Sequence, residues 1–362
     1  MNDELQRSLD SGINWLVAQQ ARDGGWHSAT YGQLKEGAAV TTLVLAALGN
    51  APRATQQKHT GAIKRAYAFL DRGLAKKQTI AAPDGTLDFP TYAAALWLTS
   101  RRKLRLSIPA PQGKQVLDYL VGAQVTETRG FAADSPSFGG WDFLGPDDAQ
   151  GITTGTNISV TRYVLEALAC EESDQQASGG REPPVTIRQA LDRGREYVLR
   201  CQQPDGGFAF TCEPASLSNK AAYHDERLTA PRSYGTATCD GVRALLAGGG
   251  QAADEPLAKA IDWLAERSGL ELVPGFEHLP PEAGWQRGLR YYYYTGLAAV
   301  LRHFPAGELE RRREALVEHL TGLQTGGGWW VNESDRMREN DPLIATSLAV
   351  TALGECHGKD AV

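Results

Sequence analysis

Asp240 is the residue whose placement most invites chemistry. It sits inside an apolar run with Tyr234, Val242, Leu245 and Leu246, where aspartate is a poor helix former and needs a reason to be present. Among apolar side chains a carboxyl resists ionisation, and a neutral carboxylic acid can protonate an alkene, while an ionised one can position a cation. A structural role is open to it as well, through an ion pair with Arg243 three residues on. Asp341 is the second candidate acid. Pro342 follows it, which also suits an N-cap before a proline at the first helical position. Asp88, before Phe89-Pro90, and Glu36 read as helix ends.

The aromatic residues could complete such a site. Four consecutive tyrosines, Tyr291 to Tyr294, cannot all face one way on a helix, so one or two must point inward and the rest pack outward. Tyr234, Tyr291 and Tyr294 are the expected wall near Asp240, where ring faces would stabilise carbocations. Trp97, Trp141 and Trp329 are candidate substrate-binding rings that share packing duty. The five cysteines are scattered and read as buried apolar residues, so neither a disulfide framework nor a metal set is expected. No cofactor is expected either. Asp142, Asp147, Asp148, Asp225 and Glu226 fall in loop-like insertions, where clustered carboxylates could serve carbohydrate chemistry.

These residues need a scaffold, and the chain supplies one by repetition. An aromatic-led amphipathic helix runs into a Gly-rich, aromatic-tipped turn and then an apolar helix, six times over. The clearest copies are Trp15-Leu16-x3-Gln20-x3-Gly24-Gly25-Trp26 and Tyr197-Val198-x3-Gln202-x3-Gly206-Gly207-Phe208. Tyr119-Leu120-x3-Gln124 reaches Gly139-Gly140-Trp141 after an insertion, and His319-Leu320-x3-Gln324 closes on Gly327-Gly328-Trp329. Phe69-Leu70 and Trp263-Leu264 begin weaker copies without the glutamine.

The first helix of each copy is one-sided: 5–20, 61–75, 113–124, 186–202, 256–268 and 309–324. The second is apolar nearly all round: 36–48, 90–99, 156–170, 234–247, 290–303 and 342–354. Six buried helices alternating with six half-exposed ones predict an all-α fold, a double ring with the buried set inside, over the whole span 1–362 as one domain. Asp23-Gly24-Gly25 and Asp205-Gly206-Gly207 supply positive φ at the reversals. Insertions at 127–155, 208–233 and 269–289 all join an outer helix to its inner partner, so they should gather on one mouth of the ring as a functional rim. The polar segment 171–182 is read as a link at the other end.

Composition excludes some classes. Hydrophobic residues at 42% and charged ones at 22% are ordinary for a globular protein. A net charge of -6 gives no footprint for nucleic acid. The N-terminus is acidic and has no apolar core, and no run approaches the roughly 20 apolar residues a spanning helix needs. A reduced cytoplasmic protein is the expectation.

The repeats resemble the QW-type repeat of the terpenoid cyclase and protein prenyltransferase superfamily, which includes squalene-hopene cyclases. The most specific stretch is Arg193-Gly194-x2-Tyr197-Val198-x3-Gln202-x3-Gly206-x-Phe208. The resemblance implies a six-hairpin α/α toroid whose apolar central cavity takes an isoprenoid chain and cyclises it by protonation. Its catalytic signatures are missing: there is no Asp-x-Asp-Asp, and Asp147-Asp148 is followed by Ala149, Gln150 and Gly151. The zinc ligands that the resemblance would place fall on Asp240-Gly241-Val242 and Ala345-Thr346, so one of three remains and no zinc is expected. Two alternatives stand beside the cyclase-like enzyme. One is a non-catalytic toroid holding a lipid or a protein partner at its rim; for it and the cyclase-like enzyme alike, an isoprenoid-like ligand and peripheral membrane contact are the expected partners. The other is a carbohydrate-active toroid.

Overall fold

The computed structural model describes residues 2–77, 79–107, 110–145, 155–177 and 185–357. Over these residues the chain is helical, with two isolated β-bridges, Gln202 to Phe208 and Tyr223 to Pro231, and no strand. Helices α1 (Asn2–Ala18) and α2 (Ala38–Gly49) form the first hairpin. Next come α3 (Thr60–Leu74) with α4 (Pro90–Lys103) and α5 (Ala110–Gly122) with α6 (Ile158–Ala177). They are followed by α7 (Val185–Arg200) with α8 (Gly235–Ala247), α9 (Glu255–Arg267) with α10 (Arg290–Val300), and α11 (Ala306–Gly322) with α12 (Pro342–His357).

Each even-numbered helix packs on the next, and α12 returns to α2, while α1 meets α11. The double ring is therefore closed. Burial follows the expected division. Along α2 only Leu43 and Ala46 escape full burial, whereas α3 buries one face through Ile63, Ala66, Tyr67, Phe69 and Leu70. An all-apolar helix has nowhere else to go.

The repeat glutamine mortars the outer ring. In four copies its amide donates to the carbonyl of its own turn glycine and to a carbonyl in the next outer helix. Gln20 reaches Gly24 and Ala62 at 2.9 Å each, and Gln124 reaches Gly139 and Ala190 at 2.9 Å each. Gln202 reaches Gly206 at 2.9 Å and Pro256 at 2.8 Å. Gln324 reaches Gly328 at 2.9 Å and Ser8 at 3.0 Å, which joins the last repeat to the first. The two copies without the glutamine are repaired from the opposite side. Gln115 on α5 reaches back to the carbonyls of Leu74 and Lys77 at 3.2 and 3.0 Å. Arg312 on α11 reaches those of Ala265 and Ser268 at 2.5 and 3.2 Å.

The aromatic of the turn has an equally fixed task. The indole N–H groups of Trp26, Trp141 and Trp330 donate to Leu16, Leu120 and Leu320 carbonyls at 2.6 to 2.7 Å. Threonine hydroxyls of the inner helices accept from the backbone N–H of Trp26, Trp141, Phe208 and Trp330. This corrects the register of the last copy. Gly328, with φ of 87°, is the positive-φ glycine equivalent to Gly24 at 97°, so Trp330 takes the buried place. Trp329 instead stacks on Trp15, 6.0 Å between centroids. A second correction concerns 171–182. Helix α6 continues through residue 177, carried by its polar face, where Glu172 pairs with Arg188 at 2.6 Å. Residues 178–182 lie outside the described residues.

Candidate functional site at the loop-rich mouth

The long connections run from outer-helix C-termini to inner-helix N-termini, so they meet at one end of the inner ring. Here the core opens into half-buried rings: Tyr31, Phe89, Tyr92, Phe143, Phe210, Trp285 and Tyr292, with Leu43 and Ile344. Elsewhere the large apolar side chains of the inner helices are almost all sealed.

On one side of the lumen, three successive inner helices converge on Asp240. Arg162 Nε of α6 donates to Asp240 Oδ1 at 3.0 Å, and the Tyr292 hydroxyl of α10 donates to Oδ2 at 2.9 Å. Tyr292 accepts from Arg162 at 3.0 Å and lies 2.6 Å from the Ser159 hydroxyl. The Arg162 guanidinium lies 3.2 Å from the centroid of Tyr163, whose ring is 4.2 Å from Tyr92 of α4. Burial raises the Asp240 carboxyl above its ordinary range, with Arg162 and Arg243 pulling it down. An arginine cannot surrender its proton, so its bond favours the carboxylate. Asp240 thus lies between a burial that favours the neutral acid and an arginine bond that favours the charged form. Arg243 is not its direct partner: that guanidinium binds Glu166 at 2.8 and 3.1 Å.

Across the mouth, Asp88 has no guanidinium bonded to it among the described residues. It is buried, Oδ2 accepts from Ala39 N–H at the start of α2 at 3.0 Å, and Oδ1 has no hydrogen-bond partner. Burial pushes its carboxyl up to about 7, opposed by the backbone N–H groups of Ala39 and Ala38. The next residue, Phe89, adopts φ of 51°, and Arg338, with φ of 63°, holds its guanidinium 5.2 Å from the Phe89 ring. Two non-glycine residues in left-handed conformation that touch one another mark local strain of the kind that gathers at functional sites.

The mouth also carries cations without carboxylate partners among the described residues. Lys220 Nζ lies 3.5 Å from the Phe210 centroid and 5.9 Å from that of Trp285, with the Ser218 carbonyl 3.4 Å away. Burial lowers its ammonium to about 8, and the charge of Asp240 pulls the other way. Arg338 sits over Tyr31 and Phe89, lowered in the same direction by burial.

The other expected site residues fall in different places. Asp341 caps α12: Oδ1 accepts from Leu343 N–H at 2.9 Å and Oδ2 from the Ser28 hydroxyl at 2.5 Å. Tyr291 and Tyr294 turn away from the lumen. The first donates to the Val331 carbonyl at 3.3 Å, and the second lies 2.8 Å from His319 Nε2 on outer helix α11. Tyr292, not singled out within its run, is the member that reaches Asp240. Tyr234 packs on Phe276, 5.0 Å between centroids. Trp97 lies beneath the Arg101 guanidinium at 4.2 Å, on the side of α3, and Trp141 is the sealed turn residue already described. Glu339, buried and pushed up to about 7 by burial, caps α10 through the N–H groups of Tyr291 and Tyr292 at 3.0 and 2.9 Å. Of the rim carboxylates, Asp142 is sealed 3.6 Å from Arg129, and Asp225 accepts from Thr229 and Ala230 of its own turn. Asp147 and Asp148 lie outside the described residues. Among the described residues no cluster of three or more histidine, cysteine or acidic side chains could hold a metal ion.

No family model matches the sequence, and no curated protein does. Solved structures do. The type II terpene cyclase MstE from Scytonema, in its apo form, superposes with a TM-score of 0.65 at 14% identity over 99% of both chains. The fold is an α/α toroid. A variant of that cyclase in complex with geranylgeranyl dihydroxybenzoate as substrate gives 0.61 at 13% identity, over 98% of each chain. An inactive α-1,6-mannanase variant from Salegentibacter, bound to α-1,6-mannotriose, gives 0.58 at 13% identity, again over 98% of each. At such identities the likeness fixes the fold and no more.

Proposed function

We propose that this chain, acting as one toroidal unit, is a terpenoid-cyclase-like enzyme that starts cyclisation of an isoprenoid by protonating an alkene. The observation that carries this reading is the Asp88 carboxyl, buried beside the start of α2 with one oxygen lacking a hydrogen-bond partner and its carboxyl pushed up to about 7 by burial. Asp88 Oδ1–H gives its proton to the alkene carbon. The charge left on the carboxylate is then held by the N–H of Ala39 at the positive end of α2. The faces of Phe89, Tyr92 and Phe143 accompany the cation.

Asp240 takes the complementary role. As a carboxylate bonded to Tyr292, it attracts the migrating positive charge and receives the terminating proton through the Tyr292 hydroxyl. Asp341 serves the site by fixing the start of α12. Lys220 and Arg338, unpaired with carboxylates among the described residues, suit an anionic head group on the substrate. The rim is also where the substrate would be collected. Among the described residues the exposed large hydrophobics are Leu217, Leu228 and Leu272, all in rim loops, which suits peripheral contact with a membrane surface. No helix among the described residues is long and apolar enough to cross one.

The test is product analysis by gas chromatography and mass spectrometry after incubation with prenyl diphosphates and prenylated benzoates. Cyclised products from wild type that vanish in Asp88→Asn support the reading. Binding without turnover in both would favour a non-catalytic lipid carrier.

A further inference from the structure

The lumen is not apolar along its length. Arg162, Asp240, Tyr292 and Tyr92 come from four successive inner helices and are linked side chain to side chain. Tyr92 and Tyr292 are the third residues of α4 and α10, Arg162 the fifth of α6 and Asp240 the sixth of α8. With a rise of 1.5 Å per residue, this layer lies only about 3 to 8 Å below the helix starts.

A second layer lies beneath it. Arg162 meets Glu166 at 3.1 Å, and Glu166 also holds Arg243. Burial raises Glu166, but Arg243 and Arg162 outweigh it and bring the carboxyl down to about 2, so this layer stays ionised at any working pH. At the far end Lys103 of α4 joins Glu355 of α12 at 3.4 Å and Asn50, after α2, at 2.6 Å. A hydrocarbon chain pushing down would have to strip these charges of their partners inside the protein, which is among the costliest things a ligand can do.

We propose that the Arg162–Asp240–Tyr292 layer is the floor of the binding site and sets substrate length, admitting short prenyl chains and excluding longer ones from full burial. This rests on the isoprenoid reading above and adds a specificity it does not contain. Arg162 is then a length-determining residue, acting through Asp240 and Tyr292.

The experiment measures binding of geraniol, farnesol, geranylgeraniol and squalene by isothermal titration, so that head-group charge plays no part. Each isoprene unit that finds an apolar wall should tighten binding by at least about tenfold, from transfer of its carbons out of water. The expected result is a gain from geraniol to farnesol and none beyond, with no saturable binding of squalene. In the double variant Arg162→Met, Asp240→Leu the gain should extend to geranylgeraniol, and the wild-type series decides the matter even if that variant does not fold. Affinity that keeps rising through geranylgeraniol and squalene in wild type overturns the floor while leaving the isoprenoid reading intact. A cut-off unchanged in the folded double variant also overturns it. Absence of binding by any prenyl alcohol removes both.

Discussion

At the residue scale, Asp88 and Asp240 divide the roles of one kind of side chain. Asp240 meets a guanidinium that favours its charged form, while Asp88 meets backbone N–H groups on one oxygen only and keeps its proton longer. Asp88→Asn should lower turnover by ~10²–10⁴, the usual range for a positioned proton donor, with prenyl binding kept. The wild-type rate should fall as pH rises through about 7, where Asp88 ionises.

The same shift carries a stability prediction. Between about 4 and 7 the native state holds a proton at Asp88 that the unfolded chain has released, so stability declines as pH rises across that window. Glu339 adds in the same direction. Asp88→Asn mimics the protonated form and should shrink that slope in urea titrations at a series of pH values. Lys220→Met offers a separate test of the head-group reading. It should weaken prenyl carboxylates by about tenfold, or ~1.4 kcal/mol, without changing binding of the matching alcohol.

At the element scale, what holds one hairpin to the next is a single amide. Gln324→Ala would strip the carbonyls of Ser8 and Gly328 of a donor at the seam where the ring closes. A loss of roughly 1–3 kcal/mol is expected from carbonyls left unsatisfied in a half-buried position, measured by chemical denaturation. Arg312→Ala should cost a similar amount at the α9–α11 junction, although no repeat glutamine is present there. If instead only the glutamine variants lose stability, the repair from the opposite helix is not equivalent.

At the scale of the whole molecule, every long insertion opens at one end of the ring, so recognition and entry belong to that face. Replacing Leu217, Leu228 and Leu272 with serine should reduce flotation with liposomes and leave thermal stability within about 0.5 kcal/mol of wild type, because these side chains are exposed. Equal flotation of both proteins would argue that substrate arrives by another route.

The all-helical double ring was legible in the sequence because burial imposes periodicity. A helix such as Val40 to Leu48, apolar on every side, must lie inside, and six of them alternating with amphipathic partners leave a ring as the economical solution. The long connections were legible for the same reason, since they interrupt that periodicity. Side-chain partners across the ring were not. Asp240 stood out by type and position, yet whether Arg243 or Arg162 would hold it depended on how α6 packs beside α8, seventy-eight residues apart in the chain. Asp88 looked like a helix end because its neighbours Phe89 and Pro90 say so. Only the approach of the α2 start showed that one oxygen is held while the other stays free. Among four adjacent tyrosines the rotation of α10 alone chose Tyr292, and the unchanged spacing from Gln324 put the buried tryptophan at 330, with Trp329 in the place that Gly25 holds in the first copy. Local sequence fixes which faces must be buried. Which charges then meet is decided by contacts between helices far apart in sequence, where one turn of rotation exchanges a partner for a neighbour.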